Sequence, residues 1–167
     1  IQVVWDSGSY DYYGRPVEGK LSNINMTVNA NEWSHIAVTF GEKTIKVYVN
    51  GVEKGSSTTN VPSSVNFGIA HNDEQGTRIT RCFWVGYSYE HARYFPGMMS
   101  ELRSWNRVLT ADELANATRR YGVDPKSEGL VTYWKCDEGQ GDVIKDHTSY
   151  RNDLASDGLK WEPVSLP

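Results

Sequence analysis

Two apolar runs that alternate residue by residue constrain the fold of this chain more than any other feature. The runs are "SHIAVTF" (residues 34–40) and "TIKVYVNG" (residues 44–51), and each places apolar side chains at every second position, which is the period of a β-strand. The intervening "GEKT" is short enough for a hairpin, so we expect the two strands to pair. Asn50 and Gly51 tolerate a positive φ and predict a turn directly after the second strand.

Other short alternating runs fill most of the first 105 residues, and clusters of Gly, Asn, Asp and Ser separate them. This is the pattern of antiparallel strands. The run "RCFWVGY" (residues 81–87) carries large side chains on both faces, which is typical of a strand in the middle of a sheet. After residue 126 the alternation returns in "SEGLVTYWKCDEGQGD" (residues 127–142).

One segment, "TADELANATRRYG" (residues 110–122), predicts a helix. Thr110 and Glu113 match a capping box at its start. Arg119 and Arg120 suit the negative end of a helix dipole, and Gly122 suits the position that ends a helix. We therefore predict one short α-helix near residues 111–121.

Many short strands and one small helix predict an all-β fold, a two-sheet antiparallel β-sandwich of the jelly-roll kind. Residues 127–167 are expected to add strands to the same sandwich. An immunoglobulin-type sandwich is the alternative. Its cysteine, tryptophan and cysteine spacing is only loosely matched by Cys82, Trp105 and Cys136, and the helix between them counts against it.

The length and the charge of the chain narrow its class further. A chain of 167 residues predicts a single domain spanning 1–167. Lys and Arg number 17 against 21 Asp and Glu, a net charge of −4, which disfavours a partner such as nucleic acid. No apolar run approaches the roughly 20 residues of a transmembrane segment. Because the chain begins at Ile1 in a strand-like run, we expect a fragment of a longer protein.

The two cysteines are candidates for a disulfide, and the acidic residues of one loop are candidates for a metal site. Cys82 and Cys136 fit either one disulfide or two buried thiols, and we favour thiols, since two cysteines form no disulfide scaffold. Asp137, Glu138 and Asp142 in "CDEGQGD" offer oxygen ligands for calcium. Their spacing is not that of an EF-hand, and an ordinary polar turn explains them, so we predict no cofactor and keep calcium as the alternative.

Two longer stretches resemble laminin G-like domains of the concanavalin A-like lectin/glucanase superfamily. They are "NEWSHIAVTFGEKTIKVYVNG" (residues 31–51), with Trp33 and His35 opening one strand, and "FWVGYSYEHARYFPGMMSELRSWNRVLTADEL" (residues 83–114). The resemblance implies a concanavalin A-like jelly roll in a bacterial glycan-handling protein, and an extracellular, periplasmic or cell-surface location. One departure is that residues 129–153 resemble a segment that usually opens such domains, yet they lie near the C-terminus here.

The superfamily also contains glucanases, so the resemblance is compatible with glycoside hydrolysis. Retaining enzymes need two carboxyl groups about 5 Å apart, which the motif Glu-x-Asp-x-x-Glu supplies from one strand. No such spacing occurs, and Glu101, which we placed in a strand, has no partner two residues on. We therefore predict that the chain is not an enzyme, with a glycoside hydrolase as the last alternative.

Aromatic residues are the best candidates for a binding site, because exposed rings stack on sugars. If Phe83 and Val85 face the core, as the family resemblance implies, alternation places Trp84 on the open face of its sheet, and polar and aromatic residues follow in a loop. Phe83, Phe95, Trp105, Trp33 and Trp134 are interpreted as core residues. The predicted carbohydrate-binding residues are Trp84, Tyr87, Tyr89, His91, Arg93 and Tyr94, with Trp5 and Tyr12 in a second patch.

These observations predict a non-catalytic module that binds carbohydrate or a glycoconjugate. The same aromatic and Arg-containing loops could instead contact a protein, as in an adhesion module, because rings and arginines also make interface hot spots. A structural spacer without a ligand of its own is a further alternative.

Overall fold

A computed structural model describes residues 1–6, 21–62, 70–72, 78–80, 85–86, 94–116, 120–156 and 158–166. The described chain is built from short strands and one short helix, α1, so the predicted all-β class is confirmed. The strands are β1 Gln2–Asp6, β2 Leu21–Asn25, β3 Ile36–Gly41, β4 Thr44–Val49, β5 Val52–Ser57, β6 Ala70–Asn72, β7 Arg78–Thr80, β8 Leu102–Trp105, β9 Leu130–Trp134, β10 Val143–Ile144 and β11 Leu154–Ala155; α1 is Ala111–Ala115.

The strands form one three-stranded sheet and four two-stranded sheets within the described residues. The first has the order β3-β4-β5, and the others pair β1 with β2, β6 with β7, β8 with β9, and β10 with β11. Each of the four two-stranded pairs is antiparallel. The β8–β9 pair joins segments about 25 residues apart in sequence, and it brings the C-terminal part of the chain into a sheet.

The predicted β3–β4 hairpin is present, and two tight turns define the three-stranded sheet. Glu42 and Lys43 have φ values of 49° and 56°, which fits a two-residue turn with both central residues left-handed. Asn50 and Gly51 repeat this geometry between β4 and β5, with φ of 52° and 79°. A Cβ atom on Gly51 would lie 2.7 Å from the Ala115 Cα atom. The turn therefore needs glycine for its conformation and for its close approach to α1.

The chain divides into two compact units. The first comprises residues 1–27, 38–47 and 54–97, and the second comprises residues 28–37, 48–53 and 98–167. Among the described residues, the buried apolar side chains of the first unit are Met26, Ile45 and Val47. Those of the second unit are Tyr48, Val49, Leu114, Leu130, Tyr133, Trp134 and Ile144.

Strand β4 is the best-buried strand of its sheet, while the apolar face of β3 is exposed at Ile36 and Val38 and half-buried at Phe40. The alternate residues Ile45, Val47 and Val49 are all buried, and so is Tyr48 on the opposite face. In β3, Ile36 and Val38 are 37% and 49% exposed, and Thr39 on the other face is buried. Alternation therefore identified both strands, although it did not reveal which face of β3 is covered.

Helix α1 begins as predicted and ends earlier. The Thr110 hydroxyl accepts a hydrogen bond from the Glu113 N–H, and the Glu113 carboxylate accepts one from the Thr110 N–H. The predicted extension to residue 121 is wrong, because Asn116 leaves the helical region with ψ of 106°. Arg120, which we expected in a last helical turn, instead donates from its guanidinium to the Asn50 carbonyl oxygen at 2.8 Å.

The predicted core residue Phe95 is a second correction. It is 45% exposed, because its ring folds over Gly97 within the turn around Pro96 and not into a sheet. The core interpretation is confirmed for Trp134, which is buried and donates from Nε1 to the Asn152 carbonyl oxygen at 2.8 Å.

Candidate functional site

Of the eight predicted carbohydrate-binding residues, the structure describes Trp5 and Tyr94. The other six are outside the described residues; they are Trp84, Tyr87, Tyr89, His91, Arg93 and Tyr12. Their place in a binding site therefore stays a prediction. Trp5 and Tyr94 both belong to the first compact unit.

Trp5 is a half-buried ring whose polar edge is already engaged. It lies in β1 opposite Ser22, and its Nε1 donates to the Thr59 carbonyl oxygen at 2.9 Å. Two further hydrogen bonds hold this loop, one from the Thr59 N–H to the Ser57 hydroxyl and one from the Asn60 amide to the Ser22 hydroxyl. Trp5 is thus held in one orientation before any ligand arrives, which lowers the entropic cost of binding to its ring.

Tyr94 is the most exposed large hydrophobic side chain of the described residues, at 70%. The backbone next to it is held, since the Phe95 N–H donates to the Gly86 carbonyl oxygen at 2.6 Å. Gly86 has a φ of 86°, a conformation that L side chains rarely adopt. The hydrogen bond between Phe95 and Gly86 therefore holds the backbone that carries two neighbouring exposed rings, Tyr94 and Phe95.

The second unit contains a charged network that the sequence did not reveal. The Tyr133 hydroxyl donates to Glu101 Oε2 at 2.7 Å, and the Gly122 N–H donates to the same oxygen at 3.3 Å. Arg103 donates from Nη2 to the Arg120 carbonyl oxygen at 2.8 Å. Glu101 precedes β8 with a φ of 58°, so its placement inside a strand was wrong. Its carboxylate joins β9 to the segment after α1.

The charges of this network shift the pKa values of its members. Burial, together with the nearby positive charges of Arg103 and Arg120, lowers the pKa of His35 to about 4. Burial also raises the pKa of Tyr133, and its hydrogen bond to Glu101 acts in the same direction. At neutral pH the His35 imidazole and the Tyr133 phenol are therefore both neutral. No local sequence motif predicts this network, because its members are up to 98 positions apart.

Asp146 is the polar centre of the second unit and is 0% exposed. Its Oδ1 accepts hydrogen bonds from the Tyr133 and Thr148 N–H groups, and its Oδ2 accepts from the Asn152 N–H and the Thr148 hydroxyl, all at 2.9–3.0 Å. Burial alone would raise the pKa of Asp146, but these donors together hold it below its ordinary value. Its role is structural, since every contact ties one backbone segment to another.

The three acidic residues that the sequence offers as alternative calcium ligands, Asp137, Glu138 and Asp142, do not form one group. Asp137 and Glu138 lie close to His147, with one potential ligand atom from each within 4.8 Å of the others. Asp142 is exposed and is outside this group. His147 was not predicted, because ten positions separate it from Asp137 and only the tertiary fold brings the two together.

Cys136 is a half-buried free thiol that follows β9, and Cys82 lies outside the described residues, so the preference for two buried thiols stays a prediction. Burial raises the pKa of Cys136 to about 11, and the carboxylates of Glu138, Asp137 and Glu101 raise it as well. A thiol with so high a pKa stays protonated at neutral pH and is a poor nucleophile.

The fold and these sites can be compared with known proteins. A family model described as the concanavalin A-like lectin/glucanases superfamily matches residues 2–115. No curated protein matches the chain. In the described parts of the chain, no helix has the length and apolar character needed to cross a membrane.

Two solved structures are similar to the chain. A candidate carbohydrate-binding protein from Bacteroides ovatus is 28% identical with a TM-score of 0.57, over 85% of this chain and 41% of that protein. An S-layer domain-containing protein from Clostridium thermocellum is 23% identical with a TM-score of 0.35, over 68% of this chain and 50% of that one. The chain thus spans at most half the length of either structure.

Proposed function

Because the chain belongs to the concanavalin A-like lectin/glucanase superfamily, we propose that it is a non-catalytic module that binds carbohydrate or a glycoconjugate. The observation that carries the proposal is the similarity to the candidate carbohydrate-binding protein from Bacteroides ovatus over 85% of this chain. Superfamily membership alone would be insufficient, since one fold supports many functions.

Two described side chains support this proposal chemically. The ring of Tyr94 is exposed on a backbone held by Gly86, so it can stack on the C–H face of a sugar with little loss of backbone entropy. Trp5 is held by its hydrogen bond to Thr59 and offers a second ring. In the proposal, Trp84, Tyr87, Tyr89, His91, Arg93 and Tyr12 complete the binding surface.

We further propose that the chain does not hydrolyse its glycan. Glu101 was the acidic residue considered for catalysis, and both the Tyr133 hydroxyl and the Gly122 N–H donate to its Oε2 atom. A carboxylate held in this way serves the fold. By the same family argument, the module works outside the cytoplasm as one domain of a longer secreted or cell-surface protein.

A glycan array followed by calorimetry tests the proposal. Tyr94→Ala should weaken binding of the best glycan about fivefold, since a stacked ring contributes on the order of 1 kcal/mol. Tyr150→Ala is the matched control, because Tyr150 is 60% exposed but belongs to the second unit. Trp84→Ala and Tyr89→Ala extend the test to the predicted loop.

Two results would count against the proposal. If no glycan binds, or if Tyr150→Ala weakens binding as much as Tyr94→Ala, the exposed rings are better explained as a protein contact. Release of reducing sugar from a polysaccharide by the purified chain would overturn the non-catalytic assignment.

A further inference from the structure

We propose that Asp137, Glu138 and His147 form a binding site for a divalent transition-metal ion of the zinc class. The site is in the second unit and does not depend on the proposed sugar binding, whose described residues are in the first unit.

The distances fit three ligands of one ion. His147 Nε2 and Asp137 Oδ1 are 3.8 Å apart, which is too long for a hydrogen bond. Two ligand atoms that each lie about 2.1 Å from a tetrahedral ion are about 3.4 Å apart. The three potential ligand atoms all lie within 4.8 Å of one another, so small side-chain movements would bring them to bonding distance.

Two of the three candidate ligand residues carry a buried polar atom that has no hydrogen-bond partner among the described residues. These atoms are Glu138 Oε2 and His147 Nε2, and both are withdrawn from solvent. Buried polar atoms in folded proteins nearly always have a partner, so two such atoms on residues of one cluster call for an explanation. A cation bound by a carboxylate oxygen and an imidazole nitrogen would satisfy both atoms at once.

The structure also holds these two ligands in place. Glu138 Oε1 accepts a hydrogen bond from the Lys145 N–H at 2.7 Å, which holds the carboxylate in one orientation. The His147 backbone N–H donates to the Tyr133 carbonyl oxygen at 2.9 Å, and the His147 ring packs 5.9 Å from the Tyr133 ring. These contacts fix the backbone of His147 and limit the positions that its ring can take. The nearby Lys145 ammonium pairs with Asp153 and does not neutralise the cluster.

The donor set selects the class of ion. One imidazole nitrogen with two carboxylates suits Zn²⁺, Co²⁺ or Mn²⁺, whereas Ca²⁺ takes six to eight oxygen ligands. The arrangement therefore replaces the all-oxygen set of Asp137, Glu138 and Asp142 that the sequence suggested. Asp137 is 63% exposed, so solvent can reach the remaining coordination position and supply water.

Metal titration of the full chain, without a histidine tag and after treatment with chelator, tests the proposal. Co²⁺ is followed by its visible absorption bands and Zn²⁺ by calorimetry. We expect one ion per chain, displacement of Co²⁺ by Zn²⁺, and little effect of Ca²⁺. His147→Gln should lower the affinity at least about tenfold. Asp142→Asn, in the same loop but outside the cluster, should bind as the original chain does.

Glu138→Gln provides a second variant in case His147→Gln does not fold, and circular dichroism checks the fold of each. The proposal is overturned if the chain takes up no Co²⁺ or Zn²⁺. It is equally overturned if both variants bind like the original chain, because uptake would then reflect other histidines such as His35. Equal binding of Ca²⁺ would also contradict the imidazole-containing site.

Discussion

Replacing Asp146 should destabilise the protein more than replacing any exposed carboxylate, because four hydrogen bonds converge on this one buried side chain. Asp146→Ala removes the acceptor of the Tyr133 and Thr148 N–H groups, which belong to buried residues. It also removes the acceptor of the Asn152 N–H, but Asn152 is exposed and water can replace the carboxylate there. The Thr148 hydroxyl can donate to the Val131 carbonyl oxygen instead.

These differences set the magnitude of the effect. A buried donor that loses its partner costs about 1–3 kcal/mol. Two such donors, with a smaller contribution from Asn152, give an expected loss of about 3–5 kcal/mol in the free energy of unfolding for Asp146→Ala. Asp146→Asn keeps one carbonyl oxygen for Tyr133 and Thr148 but directs its NH₂ group at the Asn152 N–H, so we expect a loss of about 2 kcal/mol.

Urea unfolding followed by tryptophan fluorescence measures both losses. With a slope of about 2 kcal/mol per molar urea, Asp146→Ala should lower the midpoint by about 2 M. The control Asp142→Ala, at an exposed carboxylate, should change the free energy of unfolding by less than about 0.5 kcal/mol. A loss below about 1 kcal/mol for Asp146→Ala would refute the reasoning, and so would equal losses for the alanine and asparagine variants.

Two further predictions concern pH and the β4–β5 turn. The pKa of His35 is about 4 in the folded protein and near 6.5 in an unfolded chain. The contribution of neutral His35 to the free energy of unfolding is therefore complete above about pH 6.5. This contribution decreases by about 1–2 kcal/mol toward pH 4, after allowance for partial exposure. Melting temperatures of the original chain and of His35→Gln should therefore differ in their pH dependence across this window, and parallel curves would contradict the assignment. Gly51→Ala should cost about 2–4 kcal/mol, since the new methyl group meets the α1 backbone in addition to the strain of a positive φ. Gly139→Ala, with φ of 70° and open space around it, should cost only about 1 kcal/mol in the same urea assay, and equal losses would show that the contact with α1 does not matter.

Several features were predictable because they depend on neighbours in sequence. The β3–β4 hairpin follows from side-chain alternation, and the turn at Asn50 and Gly51 follows from residues that tolerate a positive φ. The capping box of Thr110 and Glu113 follows from a spacing of three residues. Each is decided by backbone sterics or hydrogen bonding within a few positions, so the local sequence contains the information.

Other features were missed because average residue preferences do not hold at the positions concerned. Phe95 looked like a core residue by its type, yet its ring folds over Gly97, two positions further along the chain. The signals near residues 119–122 suggested a longer helix, but Arg120 is engaged by Asn50 and Arg103. Hydrophobicity and helix propensity describe what a residue prefers on average, and tertiary contacts overrule that preference.

The sequence by itself determined the all-β class, the hairpin, the start of α1 and the superfamily resemblance that the family match over residues 2–115 bears out. Only the tertiary structure decided that Asp146 is a buried acceptor and that Asp137 and Glu138 meet His147. The physical reason is the range of the interactions. Alternation and caps act over a few residues, whereas the burial of a carboxylate and the meeting of ligands require segments ten or more positions apart to come together in the fold.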